Sequence, residues 1–397
     1  MEQQPTLSIG TIDLSVGGHS VIQKDEFIRI IENELEADSI TLLEKPIVFS
    51  VPSVVPLPPK EKKRKTPPSV KKAEVVYHYP LLKNIDYLEL VGENVVIQPL
   101  LTGEIEERLS WIGNQPFQEQ RSEEWYAFRN SMMTASELHK LFGSDKIEKS
   151  FIDSKTIVKK QKSGKSCLHG IMYEELARKI YEERNHTKIY EYGCVRHREI
   201  SCLGASPDGI CVDPTNEELY GKIVEIKCPT TRVIDGKVPV EYALQVQTQL
   251  EVLNLEECDY CEFQFKQFAT KEEYELEQTV EKGIIIAVTK KTPEGDYDDL
   301  YIYSEMGIGG DEKEMWLNRE TDALLSMNHC DVSKIIYWKL AEFNCKRIKR
   351  NRELFGRLLP RIHEVWKKIE LQRALPQQLP QQLNMDESQR EMDLCIT

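Results

Sequence analysis

Ser206-Pro207-Asp208-Gly209-Ile210, followed downstream by Val224-Glu225-Ile226-Lys227-Cys228-Pro229, decides how this chain is read. Pro207 and Asp208-Gly209 mark a turn into a strand, and Asp213-Pro214-Thr215-Asn216 supplies the turn back. The two segments therefore predict a hairpin. Side chains alternate faces along a strand, so Glu225 and Lys227 share one face while Val224 and Ile226 point into the core. Asp208, Glu225 and Lys227 then converge. A bare Glu-x-Lys on a surface strand is usually an exposed ion pair; its attachment to Ser-Pro-Asp-Gly at hairpin spacing favours a site. Two carboxylates suit a hard cation such as Mg²⁺, which binds through one or two carboxylates plus phosphate and water. Lys227 would orient or help deprotonate an attacking water and balance charge in the transition state.

A second segment supports this one. In His169-Gly170-Ile171-Met172-Tyr173-Glu174-Glu175-Leu176-Ala177 and onward, Tyr173, Leu176, Ala177, Ile180 and Tyr181 recur at helical spacing and predict one buried face. Glu174 sits at its edge, where a carboxylate either reaches a metal cluster or is an ordinary helix-border residue. Helical spacing also runs over Glu123 to Phe142, Val240 to Leu253 and Asn344 to Ile369. Lys222 to Lys227, Tyr260 to Phe268, Gly283 to Thr289 and Asp299 to Ser304 are β-rich. The expectation is an α/β domain with a mixed central sheet flanked by helices.

Gly-x-x-x-Glu-x-x-Ala (170–177), Ser-Pro-Asp-Gly (206–209) and Glu-x-Lys-Cys-Pro (225–229), in that order, resemble the lambda-type exonucleases and YqaJ-like viral recombinases, a branch of the PD-(D/E)xK nuclease superfamily. The spacing looks most similar to the versions of large nucleocytoplasmic DNA viruses. The resemblance covers about residues 120 to 255, and more loosely runs on to about 370. It implies a restriction-endonuclease-like core, two Mg²⁺ or Mn²⁺ ions, and hydrolysis of duplex DNA from a 5′-phosphorylated end. By matching motifs it makes Asp208, Glu225 and the carbonyl of Ile226 metal ligands, Glu174 a further ligand, and Lys227 the catalytic lysine.

The same resemblance reaches Trp125-x-x-x-Arg129 and Thr134-Ala135-Ser136, and it makes Arg129, Ser136 and Ser206 candidates for gripping a terminal phosphate. A guanidinium fork with hydroxyl donors suits a phosphate dianion. Tyr242-x-x-Gln245-x-Gln247 matches a family helix in which Gln245 is the expected site residue, with Gln249 one turn on. Arg232 is a candidate DNA contact or a solvated loop arginine. The family pairs such enzymes with a single-strand annealing protein, and a homo-oligomer is also implied. His169 stands where relatives often carry an aromatic, and the first 110 residues have no counterpart in the small phage enzymes.

The rest of the chain bounds this reading. Its 397 residues, 40% of them hydrophobic, suffice for a sizeable core. The formal charge of −14 argues against coating nucleic acid by electrostatics alone, so DNA contacts must be local. Lys346, Arg347, Lys349, Arg350, Arg352, Arg357 and Arg361 form a basic stretch that either lines a DNA path on a helix or is a solvated face. Ten scattered cysteines suit reduced thiols, and Cys258-x-x-Cys261 lacks the second pair that a metal site needs. His169, His197 and His329 read as packing or surface residues. No apolar run of membrane-spanning length and no signal-type start appear, which predicts a soluble intracellular protein, at work in the nucleus or a cytoplasmic replication site. Residues 60–72 carry seven basic residues against one acid after a proline-rich stretch, and predict a linker that also resembles a nuclear-import signal or a DNA tether. The expected organisation is an N-terminal extension (1–57), a basic linker (58–75), a nuclease domain (76–372) and a disordered tail (373–397).

Overall fold

The computed structural model describes residues 79–118, 122–156, 165–291, 297–327 and 330–375. The N-terminal extension, the basic linker and nearly all of the expected tail lie outside these residues. In chain order the described elements include α1 (Thr102–Gly113), α2 (Glu123–Asn130), β1 (Met133–Thr134), a 3₁₀ segment (Ala135–Phe142), α3 (Asp145–Thr156) and α4 (Lys165–Asn185). Five strands follow: β2 (Ile189–Tyr190), β3 (Val195–Arg196), β4 (Leu203–Ala205), β5 (Gly209–Cys211) and β6 (Ile223–Lys227). Then come α5 (Val240–Leu253), β7 (Glu257–Gln267), α6 (Lys271–Leu276), β8 (Lys282–Lys291), β9 (Tyr297–Tyr303), α7 (Gly310–Ser326), β10 (Cys330–Lys349) and α8 (Arg352–Ala374).

The central sheet has seven strands in the order β2-β5-β6-β7-β10-β8-β9, and a small sheet has the order β1-β4-β3. Both are mixed: β6 runs parallel to β7 and β1 parallel to β4, while the other pairs are antiparallel. Parallel pairs need a crossover, and α5 supplies it between β6 and β7. The mixed sheet flanked by helices is the expected fold.

Helices cover the centre of the sheet on both faces. Ile223 and Tyr260 pack with Leu244, Val246 and Leu250 of α5 and with Leu354, Leu358 and Ile362 of α8. Val224, Ile226 and Phe263 pack on the opposite face against Tyr173, Leu176, Ala177, Ile180 and Tyr181 of α4, the stripe predicted from spacing. A third cluster holds β8 residues Ile284, Ile286 and Val288 against Trp316 and Leu317 of α7. Truncating a fully buried leucine such as Leu250 would cost roughly 2–5 kcal/mol in transfer and cavity terms.

Two predicted helices are corrected. Glu123 to Phe142 is not continuous: Ser122 caps α2 by accepting the N–H of Trp125 at 3.1 Å, the helix stops at Asn130, and Met133–Thr134 pairs with Leu203 and Gly204. Pairing with a distant strand there overrides helical spacing. Asn344 to Ile369 likewise divides, because Asn344 to Lys349 pair with Glu257 to Glu262 of β7. Helix α8 starts only at Arg352, where the Asn351 side chain accepts the N–H of Leu354 at 3.0 Å.

Candidate active site

The predicted hairpin is present, with Gly209 opposite Val224 and Ile210 opposite Ile223. Asp213 accepts the N–H of Thr215 at 2.9 Å in the turn between them, an Asx-type turn. Gly209 opens β5 because only hydrogen fits: a Cβ there would lie 2.1 Å from Ile189 Cγ2. Asp208 is thereby held against β6, where its Oδ2 accepts the N–H of Ile226 at 2.7 Å.

Glu225 shares a strand face with Lys227, as alternation requires, but that face is not solvent. Its side chain is fully buried beneath α5. Lys227 Nζ and Gln245 Nε2 donate to its Oε1, and Gln249 Nε2 donates to its Oε2 at 2.6 Å. A carboxylate offers about four acceptor positions, so these three donors leave about one lone-pair direction on Oε2. Gln249 is the residue that sequence reading passed over in favour of Gln245. The signal was its i, i+4 spacing from Gln245, and the structure uses both amides as a fork on one carboxylate. Gln249 also spans to the carbonyl of Ser206 at 3.4 Å, tying the helix to the Ser-Pro-Asp-Gly turn.

Glu174, Asp208, Ile226, Lys227, Arg232 and Tyr242 line a cleft of about 390 Å³. Desolvation, the charge of Glu225 and, more weakly, that of Glu174 raise the Asp208 carboxyl well above its usual range, against the opposing effect of Lys227. Burial works against the charge of Lys227, but Glu225 and Asp208 outweigh it and hold the ammonium protonated. Glu174 is exposed at the rim on α4. Tyr242 places its ring 5.1 Å from Lys227 Nζ and 6.0 Å from the Arg232 guanidinium. Glu262, fully buried, accepts from that guanidinium.

Among the described residues no three His, Cys, Asp or Glu side chains form a ready metal cage. The donor set still fits a hard divalent cation. Asp208 and Glu225 are oxygen donors in a dry site whose mutual repulsion already drives Asp208 toward protonation, and such ions take one or two carboxylates with substrate phosphate completing the shell. Cys258 and Cys261 do not converge. Their side chains enter cores on opposite faces of β7, and Cys261 Sγ instead lies 3.3 Å from Cys345 Sγ across the strand pair.

The residues expected to grip a phosphate form a separate cluster. Arg129 stacks over Trp125 at 4.4 Å, and its guanidinium lies 3.4 Å from Thr134 Oγ1 and 3.5 Å from Ser136 Oγ. Neither Arg129 nor Ser136 lines the cleft of Asp208. The parallel register of β1 and β4 does bring Thr134 and Gly204 side by side, so Ser136 and Ser206 leave the small sheet at the same end. Lys155, which sequence reading missed, braces this cluster by donating to the carbonyl of Arg129 at 3.1 Å and pairing with Glu137 at 2.8 Å.

The basic stretch is corrected. Lys346, Arg347 and Lys349 stand on β10, not on a helix, and six of the seven charges are paired: Lys346 with Glu93, Arg347 with Asp259 and Glu218, Arg350 with Glu251, Arg352 with Glu256, Arg357 with Glu89, and Arg361 with Glu148. These pairs fasten β10 and α8 to the body of the domain. His197 is structural, its Nδ1 accepting the N–H groups of Glu199 and Ile200 at 3.0 Å each. His329 lies outside the described residues. Among the described residues no helix is long and apolar enough to cross a membrane.

Residues 124–256 match the YqaJ-like viral recombinase domain. An uncharacterized protein of Acanthamoeba polyphaga mimivirus is 29% identical over 301 residues, which are 65% of this chain and 54% of that protein. The chain thus spans about half the length of the curated relative it matches. Similar solved structures include an alkaline exonuclease from Laribacter hongkongensis, with 18% identity, 69% of this chain and 99% of that chain covered, and a TM-score of 0.40. A phage-related exonuclease from Haemophilus somnus shows 13% identity, 60% and 94% coverage, and a TM-score of 0.34.

Proposed function

Because residues 124–256 match the YqaJ-like viral recombinase domain, we propose that this chain is a divalent-metal-dependent deoxyribonuclease that digests duplex DNA from 5′-phosphorylated ends during viral-type recombination, repair or genome processing. The observation that carries the reading is the convergence of Asp208 and Lys227 in the lining of one cleft with the fully buried Glu225, which accepts from Lys227, while burial and Glu225 raise the Asp208 carboxyl and Lys227 is held as an ammonium. A structural ion pair has no need of a second buried carboxylate facing the first.

Asp208, Glu225 and the carbonyl of Ile226 would hold Mg²⁺ or Mn²⁺, two ions in all, with Glu174 joining from the rim. When bound, the metal supplies an activated water and neutralises charge on the phosphate oxygens. The residues do the rest. Gln245 and Gln249 fix the orientation of Glu225, and the Ile226 N–H fixes Asp208. Lys227, as an ammonium, orients the attacking water as a hydrogen-bond donor and offsets the negative charge that builds on the phosphorus oxygens. Arg232 and Tyr242 border the space left for the DNA backbone, while Arg129, Ser136 and Ser206 would receive the terminal phosphate. A phosphate held there fixes the distance from the end to the cut bond, the feature that separates an exonuclease from an endonuclease sharing the same site.

The proposed nuclease domain spans residues 76–372, with its catalytic part at 120–255. Its place of work on this reading is the site of DNA replication, nuclear or cytoplasmic, beside a single-strand annealing protein and as a homo-oligomer. The deciding experiment offers linear 5′-phosphorylated duplex, covalently closed circle and single-stranded RNA in Mg²⁺ and in EDTA, beside Lys227→Ala. Loss of the linear duplex alone, abolished by EDTA and by the substitution, is the expected result. Cleavage of the circle or the RNA turns the reading to an endonuclease or RNase, and inertness toward all three refutes catalysis in favour of a DNA-binding scaffold.

A further inference from the structure

Glu262 is a fully buried carboxylate that the proposed reaction does not use. It stands beside Lys227 in the parallel register of β6 and β7, one strand away from the candidate catalytic lysine. Its Oε1 accepts from the Arg232 guanidinium and from the Tyr260 hydroxyl at 3.0 Å, and its Oε2 lies 3.4 Å from Asn344 Nδ2. Arg232 is held at its other end as well, because Gln264 donates to its backbone carbonyl at 3.3 Å. The arginine nonetheless lines the cleft, with about a third of its side chain exposed. Tyr242 connects the pieces: its ring stacks on Tyr260 at 5.8 Å and lies beside both Lys227 and Arg232.

Burying a lone carboxylate is costly unless it is paired and hydrogen-bonded. Here the counter-charge comes from the cleft wall and not from the core, so the arrangement fixes a guanidinium that still faces the substrate space. Arg232 carries five N–H donors in a rigid fork, and a carboxylate on one side leaves donors for a phosphate on another. On the proposed nuclease reading, we infer that Glu262 is a positioning residue: it aims Arg232 at a backbone phosphate of the bound DNA next to the one cut over Asp208 and Glu225.

The test compares wild type, Glu262→Gln, Arg232→Ala and the double variant, measuring KM, kcat and the salt dependence of duplex binding. Pure electrostatics predicts that Glu262→Gln, which deletes a negative charge, tightens DNA binding. Positioning predicts the opposite. KM rises roughly 10- to 100-fold with kcat little changed, as expected for losing a charge-assisted hydrogen bond to phosphate. The slope of log affinity against log salt falls by about one in Arg232→Ala and moves the same way in Glu262→Gln. The double variant matches Arg232→Ala alone, because the two act through one contact. Tighter binding by Glu262→Gln, or additive losses in the double variant, overturns the inference. Arg232→Lys, with Glu262 intact, guards against misfolding of the glutamine variant; it keeps the charge and loses the fork, so a wild-type KM there also overturns it. Titrating linear duplex in Ca²⁺ reads the Arg232 contact without cleavage, so an inert protein would refute the nuclease reading while leaving this measurement decisive.

Discussion

Gln249→Leu isolates the part of the site that depends most on its surroundings. The amide donates to Glu225 Oε2 at 2.6 Å inside a helix buried along most of its length, and a hydrogen bond to a charged group contributes roughly 1.5–3 kcal/mol. Gln249 Oε1 is itself buried with no partner among the described residues, which costs roughly 1–3 kcal/mol. Leucine removes both, but it also leaves the buried Glu225 Oε2 without that donor and breaks the contact to the Ser206 carbonyl, so a net loss of roughly 1–3 kcal/mol is expected in urea unfolding. Catalysis should lose more than stability does. Glu225 loses one of two amides that fix its carboxylate, and the loss of such an orienting partner lowers activity roughly 10- to 100-fold. Single-turnover digestion of a 5′-phosphorylated duplex in Mg²⁺, with duplex binding measured in Ca²⁺, reads the effect directly. A folded Gln249→Leu protein that cuts within about threefold of wild type would refute the reasoning, since this drop from orientation alone is what the fork predicts.

Three further outcomes follow from the geometry. Because the Asp208 carboxyl is raised above its ordinary value of 3.8, the folded protein keeps a proton that the unfolded chain releases. Its metal-free stability should therefore fall as pH rises from that value through the raised one, and Mg²⁺ should flatten the trend in thermal melts. Gly209→Ala should cost roughly 1–3 kcal/mol and abolish cleavage, because the new methyl group collides with Ile189 and displaces Asp208; an active, equally stable variant in denaturation and digestion assays would count against it. Arg129→Ala should erase the preference for a 5′-phosphate over a 5′-hydroxyl end while leaving digestion of the 5′-hydroxyl duplex at its wild-type rate, as measured by competition between the two substrates.

Much of the site was readable because its signals are local. Ser-Pro-Asp-Gly, the turn at Asp213 and the two-residue alternation in Val224-Glu225-Ile226-Lys227 specify a hairpin that puts Asp208 beside Glu225, since φ, ψ preferences and strand pleat act over a few residues. The buried stripe of α4 was equally visible in its spacing. The helices drawn through Ser131 to Thr134 and Asn344 to Lys349 failed for the complementary reason: each segment pairs with a strand about 70 to 90 residues away, and no periodicity within the segment carries that information.

Thus the sequence by itself determined which carboxylates and which lysine meet, and with them the class of chemistry proposed. Only the tertiary structure decided the environment in which they meet. Cover by α5 turns the Glu225 face from a surface into a desolvated floor and recruits Gln249, and β7 brings Glu262 up behind Arg232. Most of the basic stretch, which in sequence could have been a DNA path, is paired with acids far along the chain, from Glu89 to Glu256. Charge and burial are set by non-local packing, whose partners the chain acquires only on folding, whereas the identity and order of the candidate groups are written locally.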